Sequence, residues 1–97
     1  MRQVMVRYTV KPERVAENEQ LVRAVYEELA ATAPPGLRYA TYRLEDGVTF
    51  VHLARVEGEH NPLAEVEASA RFQAGVRDRC DVPPVASELE TIGSYGP

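Results

Sequence analysis

The sequence predicts an α+β fold of the ferredoxin-like kind, a four-stranded antiparallel sheet in the chain order β-α-β-β-α-β. Three observations lead there. The hydrophobic period switches between two and that of a helix along the chain. An Asp46-Gly47 pair separates two β-rich runs. Double prolines at 34–35 and 83–84 punctuate the helical stretches. At 97 residues, 44% of them hydrophobic and 27% charged, the chain has the composition of one globular domain spanning 1–97.

Residues 4–10 open the fold. Val4, Val6, Tyr8 and Val10 alternate with Met5, Arg7 and Thr9, the period of a strand. Lys11-Pro12-Glu13 ends it and starts a helix, with Pro12 suited to the first helical position and Glu13 to the N-terminal dipole. Val15, Val22, Val25, Tyr26 and Leu29 form one apolar stripe, and charged pairs four apart occupy the solvated side. Pro34-Pro35-Gly36 stops the helix near Ala33. Strands follow at 37–44 and 48–56, joined at Asp46-Gly47 by an expected two-residue turn. Asn61-Pro62 reads as a cap followed by a first helical position. A short helix at 63–67 then precedes one at 69–80, with Phe72, Val76 and Cys80 on one face. Asp81-Val82-Pro83-Pro84 is expected to end that helix, and residues 85–95 to form the last strand.

Register sorts the side chains by face. A turn at positions 46 and 47 sets Arg43 opposite Phe50, Thr41 opposite His52 and Tyr39 opposite Ala54. Ala40, Tyr42, Leu44, Thr49, Val51 and Leu53 lie on the other face. That second face is the more aliphatic, so it is expected to carry the helices along with Val4, Val6, Tyr8 and Val10. The open face then holds Tyr39, Thr41, Arg43, Phe50 and His52 beside Met5, Arg7 and Thr9. Such a mixed surface is costly to leave in water, and pairing with a second copy through it is expected. Small ligands would then occupy a semi-polar cavity between the two sheets.

The net charge of −4 opposes generic attraction to nucleic acid or an anionic membrane. The third strand carries no aromatic RNA-binding run. A single cysteine, Cys80, makes no internal disulfide, so a reducing cytoplasm is the simplest compartment. Neither a signal peptide nor a membrane span is expected. His52 and His60 have no third ligand nearby, so no metal site is expected, and Cys80 on an apolar stripe is expected to be inert. No phosphate loop is present, and no cofactor is expected.

Within the open-face set, His52 has two readings. It is either a general base in a partly dry cavity or a histidine satisfied by Thr41 or Tyr39 across the strands. Arg7 and Arg43 either stabilise an anionic ligand or pair with Glu88 or Glu90. Tyr39 and Phe50 either stack on an aromatic ligand or fill an interface.

The segments MVRYTVKPE, YRLEDGVTFVHLARVE and FQAGVRDRC…IGSYG, in this element order, resemble the dimeric α+β barrel superfamily. Within it the resemblance is to the antibiotic-biosynthesis-monooxygenase-like group. The resemblance implies a homodimer, and an activity among cofactor-free monooxygenation, haem degradation or isomerisation. Catalytic members place an Asn, a Trp and tyrosines or an Arg around the cavity. Asn61 falls in the region of that Asn, while the chain holds no Trp and no helical His near Ser69 and Ala70. The expectation is a homodimer binding a small aromatic or anionic metabolite. His52 and Tyr39 are its catalytic candidates, and Arg7, Thr41, Arg43, Phe50 and Asn61 its ligand contacts. The alternative is a non-enzymatic ligand-binding or structural dimeric module.

Overall fold

In a computed structural model describing residues 1–96, the expected element order is present. It runs β1 (Arg2–Val10), α1 (Val15–Thr32), β2 (Leu37–Arg43), β3 (Thr49–Val56), α2 (Glu67–Gln73), α3 (Val76–Arg79) and β4 (Cys80–Leu89). The strands form one antiparallel sheet in the order β2-β3-β1-β4, with both long connections made by helical segments lying on one face. This is the ferredoxin-like arrangement.

Local chemistry sets the boundaries. Pro12 opens a 3₁₀ turn that leads into α1. Ala33 ends α1 in the left-handed region at φ 44°, its N–H bonded to Leu29 O, just before Pro34. The 44–49 connection is longer than the expected two-residue turn, because Asp46 organises it. The Asp46 carboxylate accepts from Val48 N (3.0 Å), Thr49 N (2.9 Å) and Thr49 Oγ1 (2.6 Å). The register survives: Arg43 faces Phe50, Thr41 faces His52 and Tyr39 faces Ala54. Asn61 caps the 3₁₀ turn at Pro62–Glu65 by accepting from Leu63 N at 3.0 Å. The first two N–H groups of α2 are capped from across the chain. Glu28 of α1 accepts from Glu67 N (3.0 Å) and Ala68 N (2.9 Å), a carboxylate at a helix N-terminus.

The C-terminal third departs from the sequence reading. The helix expected to run unbroken from 69 to 80 is interrupted at Gly75, which adopts φ +80°. Cys80 starts β4, so Asp81-Val82-Pro83-Pro84 lies inside the strand instead of ending a helix, and 90–96 carries no regular structure. Proline is tolerated here because β4 is an edge strand and the pairing bulges. Arg7 faces Val85 and Thr9 faces Val82, so Pro83 and Pro84 together oppose Tyr8.

The larger correction concerns the faces. β1 meets β3 with Val6 opposite His52 and Tyr8 opposite Phe50. Phe50, His52, Tyr39, Thr41 and Arg43 therefore share the helix-bearing face with Val4, Val6 and Tyr8, not the open one. Val51, Leu53, Ala40 and Tyr42 join Met5 and Arg7 on the open side. The larger number of aliphatic side chains on a face does not decide which face carries the helices. Aromatic burial decides the matter: Tyr8 and Phe50 are 0% and 3% exposed, and each contributes about 2–3 kcal/mol on burial. Their rings stack 5.6 Å apart at 10°, with Phe72 of α2 tilted over Tyr8 at 5.9 Å. Val10, Val22, Val25, Val66, Val76 and Cys80 complete the core. His52 can be buried there because its polar atoms find partners inside the fold.

Candidate functional site

Beneath the helices, against the middle of the sheet, lies a cavity of about 240 Å³. Tyr8, Tyr39, His52 and Ala54 form its sheet wall, Phe72 and Ser69 its helix wall, and Asn61 and Leu63 its loop side. A hollow of about 670 Å³ on the open face, among Arg38, Ala40, Tyr42, Leu53 and Leu89, is larger but shallow. The smaller cavity is the better site, because buried ionisable side chains line it.

His52 is 6% exposed and bonded at both ring nitrogens. Its Nε2 is 2.7 Å from Tyr8 Oη, and its Nδ1 is 2.5 Å from Tyr39 Oη and 3.3 Å from Thr41 Oγ1. Thr41 in turn meets Tyr26 Oη at 2.8 Å. Behind Tyr8, Asn18 donates from Nδ2 to the phenol oxygen at 3.0 Å, and Arg79 donates from Nε to Asn18 Oδ1 at 3.2 Å. Arg79 is 2% exposed and has no carboxylate partner among the described residues. Its guanidinium bonds Phe72 O (2.8 Å) and Ala74 O (3.4 Å), tying the last carbonyls of α2, and lies 5.1 Å from the Phe72 ring centroid.

Burial dominates the titration of this cluster. It pulls His52 down to about 4, so the imidazole is neutral at pH 7. It pushes both Tyr8 and Tyr39 above the ordinary phenol value, against the Asn18 hydrogen bond on Tyr8 and the Thr41 hydrogen bond on Tyr39. Each of the three groups thus keeps a neutral form with one proton to give.

The sequence-predicted residues divide. His52, Tyr39 and Asn61 line the cavity, with Thr41 bonded just behind. Phe50 is buried against Tyr8 as core and does not line the cavity. Arg43 points to the outer edge of α1 and is ion-paired with Glu19, not with Glu88 or Glu90. Arg7 is exposed on the opposite face of the sheet. Neither arginine reaches the cavity. Cys80 is a buried thiol whose pKa burial raises, and His60 makes an exposed contact with Glu65. No group of three metal-ligating side chains occurs among the described residues.

Asn18 and Arg79 were not singled out in the sequence, although a signal was present. Asn18 falls between Val15, Val22 and Val25 on the apolar stripe of α1. Arg79 follows Phe72 and Val76 at helical spacing. A polar side chain at a stripe position has to find a partner when buried, and these two found each other.

The sheet order, with the helices packed on one face, defines a ferredoxin-like fold. It is the fold of the antibiotic-biosynthesis-monooxygenase-like proteins, shown by solved structures that superimpose over nearly the whole chain. One is a monooxygenase from the gene ActVA-Orf6 of Streptomyces coelicolor, in complex with nanaomycin D. It has a TM-score of 0.70 at 19% identity, covering 99% of this chain and 91% of that one. Another, from Nitrosomonas europaea and assigned to the antibiotic biosynthesis monooxygenases, has a TM-score of 0.77 at 16% identity, over 96% of this chain and 100% of that one. Rv0793 of Mycobacterium tuberculosis gives 0.71 at 19% identity, over 98% of each chain. No family model matches the sequence. No curated protein sequence matches it either.

Proposed function

We propose that this chain binds a small aromatic or anionic metabolite in the cavity under its helices and acts on it as a cofactor-independent monooxygenase or isomerase. The observation that carries this reading is a neutral His52 clamped between two tyrosine hydroxyls on the wall of a partly open cavity under the helices. Both reaction types pass through a substrate anion with charge on an oxygen, and a fixed hydroxyl donor stabilises such an oxygen most where water is excluded. Tyr39 is the donor, His52 supports it from behind, and Phe72 and Ala54 offer apolar walls for a ring. Asn61 contacts the ligand from the loop side. The nanaomycin D complex of a protein with the same fold supports an aromatic ligand.

The working unit is a homodimer in the cytoplasm, paired through the open sheet face. That face leaves Tyr42, Val85 and Leu89 at 55%, 61% and 40% exposure around Met5, Val51 and Leu53, an apolar surface that a second copy would cover.

Thermal-shift screening against quinols, phenolics and short acyl carboxylates tests the proposal, with oxygen uptake followed for every hit. A shift that is lost in Tyr39→Phe and weakened in His52→Ala is the expected result. Equal responses of the parent and both variants to every compound would refute it.

A further inference from the structure

The polar chain behind the cavity has a direction, and Arg79 sets it. Arg79 carries only donors, so the atom of Asn18 facing its Nε at 3.2 Å is the amide oxygen. The Asn18 amide group is thereby turned toward Tyr8, where Nδ2 donates to Oη at 3.0 Å. Tyr8 Oη accepts that bond and has one proton of its own to place. Among the described residues its remaining partner is His52 Nε2, at 2.7 Å. Nε2 is then the unprotonated nitrogen, and the single ring proton sits on Nδ1. That N–H faces Tyr39 Oη at 2.5 Å, with Thr41 Oγ1 as a weaker second acceptor at 3.3 Å. Tyr39 Oη has therefore become an acceptor on the protein side. Its own hydroxyl proton is then not taken by His52; Thr41 Oγ1 is the protein group that can compete for it, and the Tyr39 side chain lines the cavity.

We propose that Arg79 and Asn18 are positioning residues that fix His52 as its Nδ1–H tautomer, so that Tyr39 presents its O–H to the cavity and selects a ligand bearing an acceptor oxygen, a ketone or a phenolate. The alternative order, with Tyr39 donating to Nδ1 and Nε2–H facing Tyr8, leaves the Tyr8 proton without a protein acceptor on a side chain that is 0% exposed, whereas Tyr39 is only half-buried. In that order the phenol proton free to face the cavity would be that of Tyr8 and not that of Tyr39. The selection of ligand rests on the functional reading above, whereas the donor order does not.

Long-range ¹H–¹⁵N NMR of the imidazole tests the order, with Asn18→Asp as the reversing variant. An Asp at that position still accepts from Arg79 but cannot donate to Tyr8. Tyr8 then gives its proton to the new carboxylate, the ring proton moves to Nε2, and Tyr39 turns its O–H inward. The parent is expected to show a protonated Nδ1 and a bare Nε2, and Asn18→Asp the reverse. 9-Fluorenone, with one ketone oxygen, and fluorene, with none, test the ligand. Fluorenone affinity is expected to fall roughly tenfold in both Asn18→Asp and Tyr39→Phe, the size of one hydrogen bond, with fluorene unchanged. A ring protonated on Nε2 in the parent overturns the proposal, and this measurement needs no variant to fold. Fluorenone binding that ignores both substitutions overturns the selection. If neither probe binds while the NMR pattern reverses, the donor order stands and the ligand reading of the cavity falls.

Discussion

Acid should weaken this fold through His52 alone by an amount that the structure sets. In the unfolded chain the imidazole has its ordinary value of 6.5, and in the folded chain burial holds it near 4. Between those two values the unfolded state binds the proton and the native state does not. Stability from this residue is therefore complete above about pH 6.5 and is lost as the pH falls toward 4. The full loss is about 3 kcal/mol, from ~1.4 kcal/mol for each pH unit of difference. For a domain of this size that is a large share of the ~5–15 kcal/mol typically available. His52→Gln is the comparator, since glutamine still donates and accepts but does not titrate. Urea unfolding of both proteins at half-unit steps from pH 7.5 to 4 cancels the carboxylates they share. The stability difference should shrink toward acid by about 3 kcal/mol, with its steepest change between pH 6 and 4.5. A difference that stays constant to within about 0.5 kcal/mol across that range would show that the imidazole is not held neutral by burial.

Other substitutions probe separate parts of the structure. Phe72→Ala removes the ring packed over Tyr8, His52 and the Arg79 guanidinium, and should cost about 3–5 kcal/mol by urea unfolding; a loss under 1 kcal/mol would mean that α2 does not close the cavity. Gly75→Ala should cost about 1–2 kcal/mol for backbone strain alone, because the added Cβ would meet only Arg79 Nη1 at 3.9 Å; thermal unfolding measures it. Ala33→Gly should stabilise by roughly 0.5–1 kcal/mol by relieving the left-handed end of α1 at φ 44°, and destabilisation in the same assay would contradict that geometry. Val85→Glu, on the open face, should turn a two-copy mass in light scattering into a single-copy one. A parent that already runs as one copy would end the pairing proposal.

Much of the architecture was legible because local rules and the fold agree. The alternation of Val4, Val6, Tyr8 and Val10 gave a strand and its inner face correctly. The hairpin register came out right even though Asp46 built a longer connection than expected, since side-chain capping changed the loop and not the pairing. The assignment failed one step later, at the relation between the hairpin and β1. Pairing parity between distant strands leaves no local trace, and counting aliphatic side chains misled. Tyr8, Phe50 and Phe72 bury larger rings than Val51 and Leu53 and add their contacts with one another, so the mixed-looking face went inside. Pro83 and Pro84 misled for a related reason: only the edge position of β4 makes them tolerable in a strand. Of the candidate site, His52, Tyr39, Thr41 and Asn61 are at or next to the cavity. Arg7 and Arg43 are not, because long-range register scattered what short-range pattern had grouped. The bonding of His52 to Tyr39 and Thr41 across the strands was one of the two readings open from sequence. Its second bond, to Tyr8, needed the third strand.

The paired prolines of β4 bear on how copies of this chain can meet. Neither offers an N–H group, and the swelling they make opposite Tyr8 bends the rim of the sheet out of line. A strand arriving from a neighbour would find no continuous ladder there to zip onto. Growth by stitching margins together, the route to open-ended fibres, is closed along that border. Copies are left to meet across the open sheet face or at the β2 margin, and the first of these closes as a finite pair.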